Sequence, residues 1–160
     1  MMEPVATNTG FIMSTKKAFT YLLIAYVAFV FVQSLFFKFA GSEQTDIIFN
    51  TIADWMRTVG LDAIAPAFAS IGGYAVGGVE LVASGLLLFP ATRRLGALIG
   101  LVVISGAIFF HLGTPLGVDR TINAAGDTDG GTLFYMACGV WISCFLIFAL
   151  SSNPKQRQTV

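Results

Sequence analysis

The fold is decided first by residues 18–39, which read AFTYLLIAYVAFVFVQSLFFKF. This stretch is apolar over almost its whole length, and a helix needs about 20 such residues to cross the hydrocarbon of a bilayer. Three further stretches of the same character follow at residues 67–89, 95–112 and 132–150. The sequence therefore predicts an all-α, polytopic membrane protein whose four spans form a four-helix bundle.

The composition excludes a soluble fold. Of the 160 residues, 56% are hydrophobic and only 11% are charged, whereas soluble proteins carry about 25% charged residues. A formal net charge of zero also gives no reason to expect a nucleic-acid partner. We expect one transmembrane domain at residues 18–150, between a disordered cytoplasmic N-terminus at 1–17 and a cytoplasmic tail at 151–160.

The positive charges predict how the chain is oriented. Three of the nine Lys and Arg residues, namely Lys38, Arg57 and Arg120, fall on one side of the four spans. The other six fall on the opposite side, at Lys16, Lys17, Arg93, Arg94, Lys155 and Arg157. Because positive residues stay in the cytoplasm, both termini are predicted to be cytoplasmic. The expected location is the cytoplasmic (inner) membrane of a bacterium or archaeon.

The segment between the first and second spans has the pattern of a short helix. Apolar residues recur at helical spacing within residues 44–59, at Ile48, Ile52, Trp55 and Val59. We predict an outer amphipathic helix here, and two arrangements are open. The helix either lies in the outer membrane interface with Trp55 at headgroup depth, or it packs over the end of the bundle.

Glu80 is the residue that most strongly suggests chemistry, because it lies deep in the second span. An ionised carboxylate inside a membrane is costly, so it must be protonated, paired or directed into a polar cavity. One interpretation is an acid that handles protons or a ligand, and the other is a hydrogen bond that holds helices together. The polar residues at similar depth on other spans are Gln33, Ser34, Ser105 and Ser143. Of these, Ser105 and Gln33 are the partners we expect.

Lys38 and His111 lie at the outer ends of the first and third spans. Either can bind a lipid headgroup, a quinone carbonyl or an acidic loop residue, although a lysine at this position also snorkels to the interface. His111 can equally be a hydrogen-bonding cap. Lys38 is placed at the boundary and Glu80 at mid-depth. We therefore expect the gap to exceed the reach of a lysine, and favour a neutral, hydrogen-bonded carboxyl at Glu80.

No metal or haem site is expected. His111 is the only histidine in the chain, and one histidine cannot supply both axial ligands of a b-type haem. The run Asp127-Thr128-Asp129-Gly130 lacks the rest of a calcium loop and is interpreted as a turn.

Small residues predict where helices approach each other closely. Gly73 and Gly77 form one GxxxG motif in the second span, and Gly96 and Gly100 form another in the third. Because glycine lets helix backbones come together in lipid, we expect the second and third spans to form a close pair.

Several motifs in a consistent order resemble the DoxX family of small four-helix membrane proteins. The run from Gly77 to Leu88, followed by Pro90 and residues 92–97, is similar to the family's GxxE…GxLLL…PxTRxxG core. Residues 36–39 resemble its aromatic-Lys end of helix one. Residues 111–117 and 129–134 resemble the end of helix three and the start of helix four.

The resemblance implies a range of functions. Founding members are subunits of archaeal quinone-linked oxidases, so it suggests a small subunit of a quinone-linked or redox-related complex. Quinone is then the suggested cofactor, and the partners are lipid and other membrane subunits or a second copy of the chain. It also supports Glu80, Lys38 and His111 as site residues. The alternatives are a non-enzymatic assembly or structural subunit, and a small-molecule or proton transporter that uses Glu80. Whether the protein is an enzyme stays open.

Overall fold

A computed structural model of the chain describes residues 15–151, and within them it contains five helices and no β-strand. The helices are α1 (Thr15–Phe39), α2 (Glu43–Thr58), α3 (Ala65–Leu88), α4 (Arg93–Gly113) and α5 (Thr132–Leu150). Four of them, α1, α3, α4 and α5, are long and apolar enough to cross a membrane. The all-α class and the four candidate spans are thus confirmed. Most of the two predicted terminal segments, at 1–14 and 152–160, lies outside the described residues.

The helix bounds lie within a few residues of the predicted spans. Residues Thr15 to Lys17, which we assigned to a disordered terminus, form the first turn of α1. α3 begins two residues early because Pro66 is compatible with the first turn of a helix. At its other end, Thr92 Oγ1 and Arg93 Nε donate to the carbonyls of Leu86 and Leu87, at 2.9 and 3.1 Å. These bonds satisfy carbonyl groups that the end of α3 leaves free.

The four long helices share one hydrophobic core. α1 packs against α3 and α5, and α4 packs against the same two helices. The largest fully buried side chains at the centre belong to Val27, Phe31, Leu87, Val140 and Ile147. α1 and α5 each contribute two of these side chains and α3 contributes one, and α4 adds Ala97 and Ile104 to the same cluster.

Gly96 permits the closest approach between α3 and α4. A Cβ atom at this position would lie 2.8 Å from the backbone nitrogen of Leu87 and 2.9 Å from the carbonyl oxygen of Ala83. No side chain can occupy that space, so the predicted close pair is confirmed at this end. Gly100 instead allows a close approach between α4 and α5, since an added Cβ there would lie 2.9 Å from Cys144 Sγ on α5.

α2 packs along the half of α3 that begins at Ala65 and runs antiparallel to it. This end of the bundle, which the charges predict to be outside, is called the outer side below. Its first residues, around Thr45, lie beside Gly73, and Phe49 stacks against Phe68 with ring centroids 5.3 Å apart. Further along, Met56 belongs to one apolar cluster with Ala65 and Leu116.

Of the two arrangements that the sequence leaves open, the structure is nearer to the packed one, since Ile52 is buried and Ile48 and Trp55 pack against the same cluster. It differs from the prediction in that α2 lies along α3 rather than over the end of the bundle and Val59 is exposed.

The loop between α4 and α5 folds back on itself and is tied to α2 and to the start of α5. Ile122 N donates to Asp127 O at 2.8 Å, and Ala124 N donates to the Glu43 carboxylate at 2.8 Å. Asp129 accepts from the nitrogens of Gly131 and Leu133 and thereby caps α5. The interpretation of residues 127–130 as a turn is only partly right, because the turns lie at 123–126 and 129–132 and Thr128 between them forms an antiparallel bridge with Thr121.

Candidate functional site

An ion pair joins α1 to α3 beneath the outer loops. Lys38 Nζ donates to Glu80 Oε2 and to Ser34 Oγ, at 2.6 Å each, and Ser34 Oγ donates to the same carboxylate oxygen at 2.8 Å. Glu80 is 5% exposed, and the Lys38 side chain is 16% exposed. Two donors on one oxygen, one of them a cation, stabilise an ionised carboxylate.

The expectation that Lys38 lies too far from Glu80 is wrong. It assumed that α1 and α3 end at the same level on the outer side. Instead, the outer half of α3 is paired with α2, and the end of α1 lies level with Gly77, whose position faces Leu35 and Lys38. Glu80 is therefore only about one helical turn below the end of α1, within reach of a lysine side chain.

The partners that we expected for Glu80 are also wrong. Ser105 is exposed and accepts a hydrogen bond from Trp141 Nε1 at 3.0 Å. Gln33 is exposed and does not contact Glu80. Ser143 donates to the carbonyl of Gly139 on its own helix at 2.8 Å. Glu80 does face the interior and bonds to a polar residue of another helix, as predicted, but that residue is Ser34, together with Lys38.

His111 is buried at the outer end of α4. Its Nδ1 atom lies 2.6 Å from the carbonyl oxygen of Gly117, and because a carbonyl can only accept, Nδ1 carries the proton. In the neutral ring Nε2 is then an acceptor. Nothing within residues 15–151 forms a hydrogen bond with Nε2, so this acceptor is available to a ligand.

One cavity brings these predicted residues together. It has a volume of about 400 Å³ and is lined mainly by apolar side chains, which come from all five helices. The polar side chains on its wall are Ser34, Lys38, Glu80 and His111. The volume falls within the range of about 300–1,000 Å³ typical of small-molecule sites, as does the combination of an apolar wall with a few polar groups.

A second, more polar cavity adjoins the first on the outer side. Its volume is about 250 Å³, and it shares Ser34 and Lys38 with the apolar cavity. The other polar residues around it are Gln33, Gln44, Thr45, Arg120, Asp129 and Thr132. Lys38 thus borders both cavities, whereas Glu80 lines only the apolar one.

Arg120 is a site residue that the sequence analysis missed. It is 5% exposed, and its Nε atom lies 3.3 Å from Asp129 Oδ2 without the geometry of a hydrogen bond. Burial lowers the pKa of the guanidinium below its usual value, while the charge of Asp129 opposes that shift. A single arginine in a polar, glycine-rich loop suggests solvent exposure. The only feature of the sequence that could indicate a buried ion pair at Arg120 is the pair of acidic residues Asp127 and Asp129 that follows it.

The arrangement suits hydrogen bonding to a small, mainly apolar molecule. Lys38 uses two of the three N–H bonds of an ammonium group on Ser34 and Glu80, which leaves one for a ligand. Glu80 Oε1 has no hydrogen bond from the described residues and can accept one. The cavity wall therefore offers a cationic donor and two acceptors.

Comparison of the chain with known protein families, with curated proteins and with solved structures finds no match. The function is accordingly argued from the site itself.

Proposed function

We propose that this chain is a DoxX-like integral membrane protein that binds a quinone in the apolar cavity, as a small subunit of a quinone-linked or redox-related membrane complex. The observation that supports this most directly is that Lys38, Glu80 and His111 all line one cavity of otherwise apolar character. A quinone has the same division, with an apolar ring and tail and two polar oxygens.

The hydrogen-bonding groups suit both redox states of such a ligand. A quinone carbonyl can only accept, and the free N–H of Lys38 is a suitable donor. A quinol hydroxyl can also donate, and Glu80 Oε1 and His111 Nε2 are suitable acceptors. The ion pair therefore positions the ligand whichever state is bound.

The proposal includes the topology predicted from the charges. The four long helices form a polytopic bundle with cytoplasmic termini, in a bacterial or archaeal inner membrane, and the cavity lies toward the outer side. The electrons for quinone chemistry come from a partner subunit in this proposal, because the chain has a single histidine and no recognisable ligand set for haem or flavin.

A second candidate is a transporter for protons or small molecules. The observation that favours it is the pair of adjoining cavities, which meet at Ser34 and Lys38. In this alternative, Glu80 exchanges its bond to Lys38 for a proton or a cargo molecule as the cargo passes between the two chambers.

Quinone binding by the purified protein tests the leading proposal. The protein in mild detergent is titrated with decylubiquinone, and bound quinone is separated by rapid filtration. We expect saturable binding that Lys38→Met weakens about tenfold or more, because the Lys38 ammonium is the donor to a quinone carbonyl and a hydrogen bond to a charged group contributes about 1.5–3 kcal/mol. With decylubiquinol as the probe, Glu80→Gln and His111→Leu should each weaken binding, because each removes an acceptor for a quinol hydroxyl. Ser105→Ala is the matched control, because Ser105 is a polar residue of a long helix that does not line the cavity.

The result also separates the two candidates. A folded wild-type protein without saturable quinone binding would overturn the leading proposal. Proton or solute flux into sealed proteoliposomes that depends on Glu80, in the absence of quinone binding, would support the transporter instead.

A further inference from the structure

α3 and α4 are in tight contact where α4 begins, and the apolar cavity lies between them farther along. At the opposite end Phe68 of α3 meets Phe110 of α4, with ring centroids 5.8 Å apart. At Gly96, near the start of α4, an added Cβ would collide with the backbone of α3. At Gly106, ten positions later, an added Cβ would have no atom within 4 Å. Ten helical residues rise about 15 Å and leave Gly106 about 80° around α4 from Gly96, so the open space at Gly106 lies beside the contact face, on the wall of the cavity.

The gap between these helices leads into the apolar cavity. Gly106 lines the cavity, and so do Ala75 and Val79 on the facing side of α3. Val79 is 41% exposed and Val102 is 68% exposed, although both belong to the cavity wall. Side chains that line a cavity and are also exposed mark the place where the cavity opens to the outside.

The rim of this opening is apolar throughout. Its side chains are those of Ala75, Val79 and Val102, and Gly106 adds none. Both helices are candidate membrane spans, so the opening faces hydrocarbon if they cross the bilayer as proposed. A water-soluble molecule would gain no polar contact at this rim, whereas a molecule dissolved in the lipid could pass without leaving an apolar environment.

We propose that the gap between α3 and α4 is a lateral portal through which the ligand passes between the bilayer and the cavity. Gly106 keeps the portal open, because any side chain there would project into the gap. The identity of the ligand as a quinone rests on the proposed function, whereas the existence of the portal does not.

Gly106→Leu narrows the portal and is the principal test variant. Gly85→Leu is the matched control, since an added Cβ at Gly85 also has no atom within 4 Å and Gly85 does not line the cavity. In stopped-flow measurements on proteoliposomes, we expect Gly106→Leu to slow decylubiquinone association about tenfold or more, which corresponds to about 1.4 kcal/mol of additional barrier. Gly85→Leu should associate at the wild-type rate. If the wild-type protein binds decylubiquinone and Gly106→Leu associates with it at the same rate, the portal proposal is wrong.

A second measurement keeps the portal testable if quinone does not bind. An adamantyl diazirine is dissolved in the lipid and activated by light, and labelled residues are identified by mass spectrometry. We expect label on buried Ile104, which lines the cavity, in the wild type and in Gly85→Leu, and several-fold less in Gly106→Leu. Equal labelling in all three proteins would contradict the portal. A failure of quinone binding alone would contradict only the proposed function.

Discussion

Lys38 Nζ lies 2.6 Å from Glu80 Oε2, although the two residues are 42 positions apart in the chain. The contact joins the outer end of α1 to the middle of α3, and Ser34 bonds to both partners. It places a charged pair on the wall of an apolar cavity, where water competes weakly for either group. This pair explains how the membrane domain accommodates Glu80 and gives the cavity a polar end.

The ion pair should make Glu80 sensitive to loss of charge as well as loss of size. Glu80→Gln keeps the shape but leaves the buried Lys38 ammonium without a counter-charge. We expect a loss of roughly 3 kcal/mol in the free energy of unfolding, in the range found when one partner of a buried pair is removed. Reversible unfolding of the detergent-solubilised protein in SDS measures this.

A double variant provides the control for that prediction. Lys38→Met combined with Glu80→Leu removes both charges and keeps similar volumes. The double variant should be more stable than either single variant, since apolar replacement of a whole buried pair is often neutral. Additive losses would show that the two side chains do not interact.

Gly96→Ala should weaken the contact between α3 and α4. The added Cβ would meet backbone atoms of Leu87 and Ala83, which cannot move aside as a flexible side chain can. We expect a loss of about 1–3 kcal/mol, the usual effect of overpacking. The thermal unfolding midpoint is compared with that of Gly85→Ala, where an added Cβ meets open space. Equal midpoints for the two variants would argue against the close approach.

Asp129→Asn should loosen the outer loop. The substitution keeps an oxygen for capping α5 but removes the charge beside buried Arg120. We expect faster proteolysis within residues 113–131 and a lower thermal midpoint, because a buried guanidinium loses its counter-charge. Asp127→Asn is the control, as Asp127 is exposed and bonds only within its own turn. Similar proteolysis of the two variants would contradict a structural role for the Arg120–Asp129 pair.

Reporter fusions test the proposed orientation. A reporter that is active only in the cytoplasm, fused after Arg94, should be active. The same reporter fused after Gly126 should be inactive, because the charge distribution places that loop outside. The same activity at both positions would mean that α4 does not cross the membrane.

Helix positions could be predicted because lipid demands continuous helices. A backbone group in hydrocarbon must be paired within its own helix, so the spans at 18–39, 67–89, 95–112 and 132–150 follow from hydropathy alone. The same reasoning places Glu80 inward, since its charge cannot face lipid. The helix α2 could also be predicted, because its apolar residues recur at helical spacing.

The partner of Glu80 could not be predicted, because chain position does not give relative depth. The prediction that Lys38 is too far from Glu80 assumes that neighbouring spans end at the same depth. Because α2 packs along the first half of α3, α1 ends beside Gly77 rather than beside the start of α3. This arrangement depends on contacts between residues that are distant in the chain, such as Phe49 and Phe68. The burial of Arg120 could not be predicted for a related reason, since it arises only when the loop folds.

Photolabelling with an azidoquinone tests the central claim, that the cavity of Lys38, Glu80 and His111 binds a quinone, most directly. The probe is activated on the protein in proteoliposomes, with and without excess unlabelled decylubiquinone, and the labelled peptides are identified. We expect labels within residues 75–80 and 102–111 that competitor removes and that Lys38→Met reduces. Labels that persist with competitor, or that fall on exposed positions away from the cavity such as Leu22 and Val82, would contradict it.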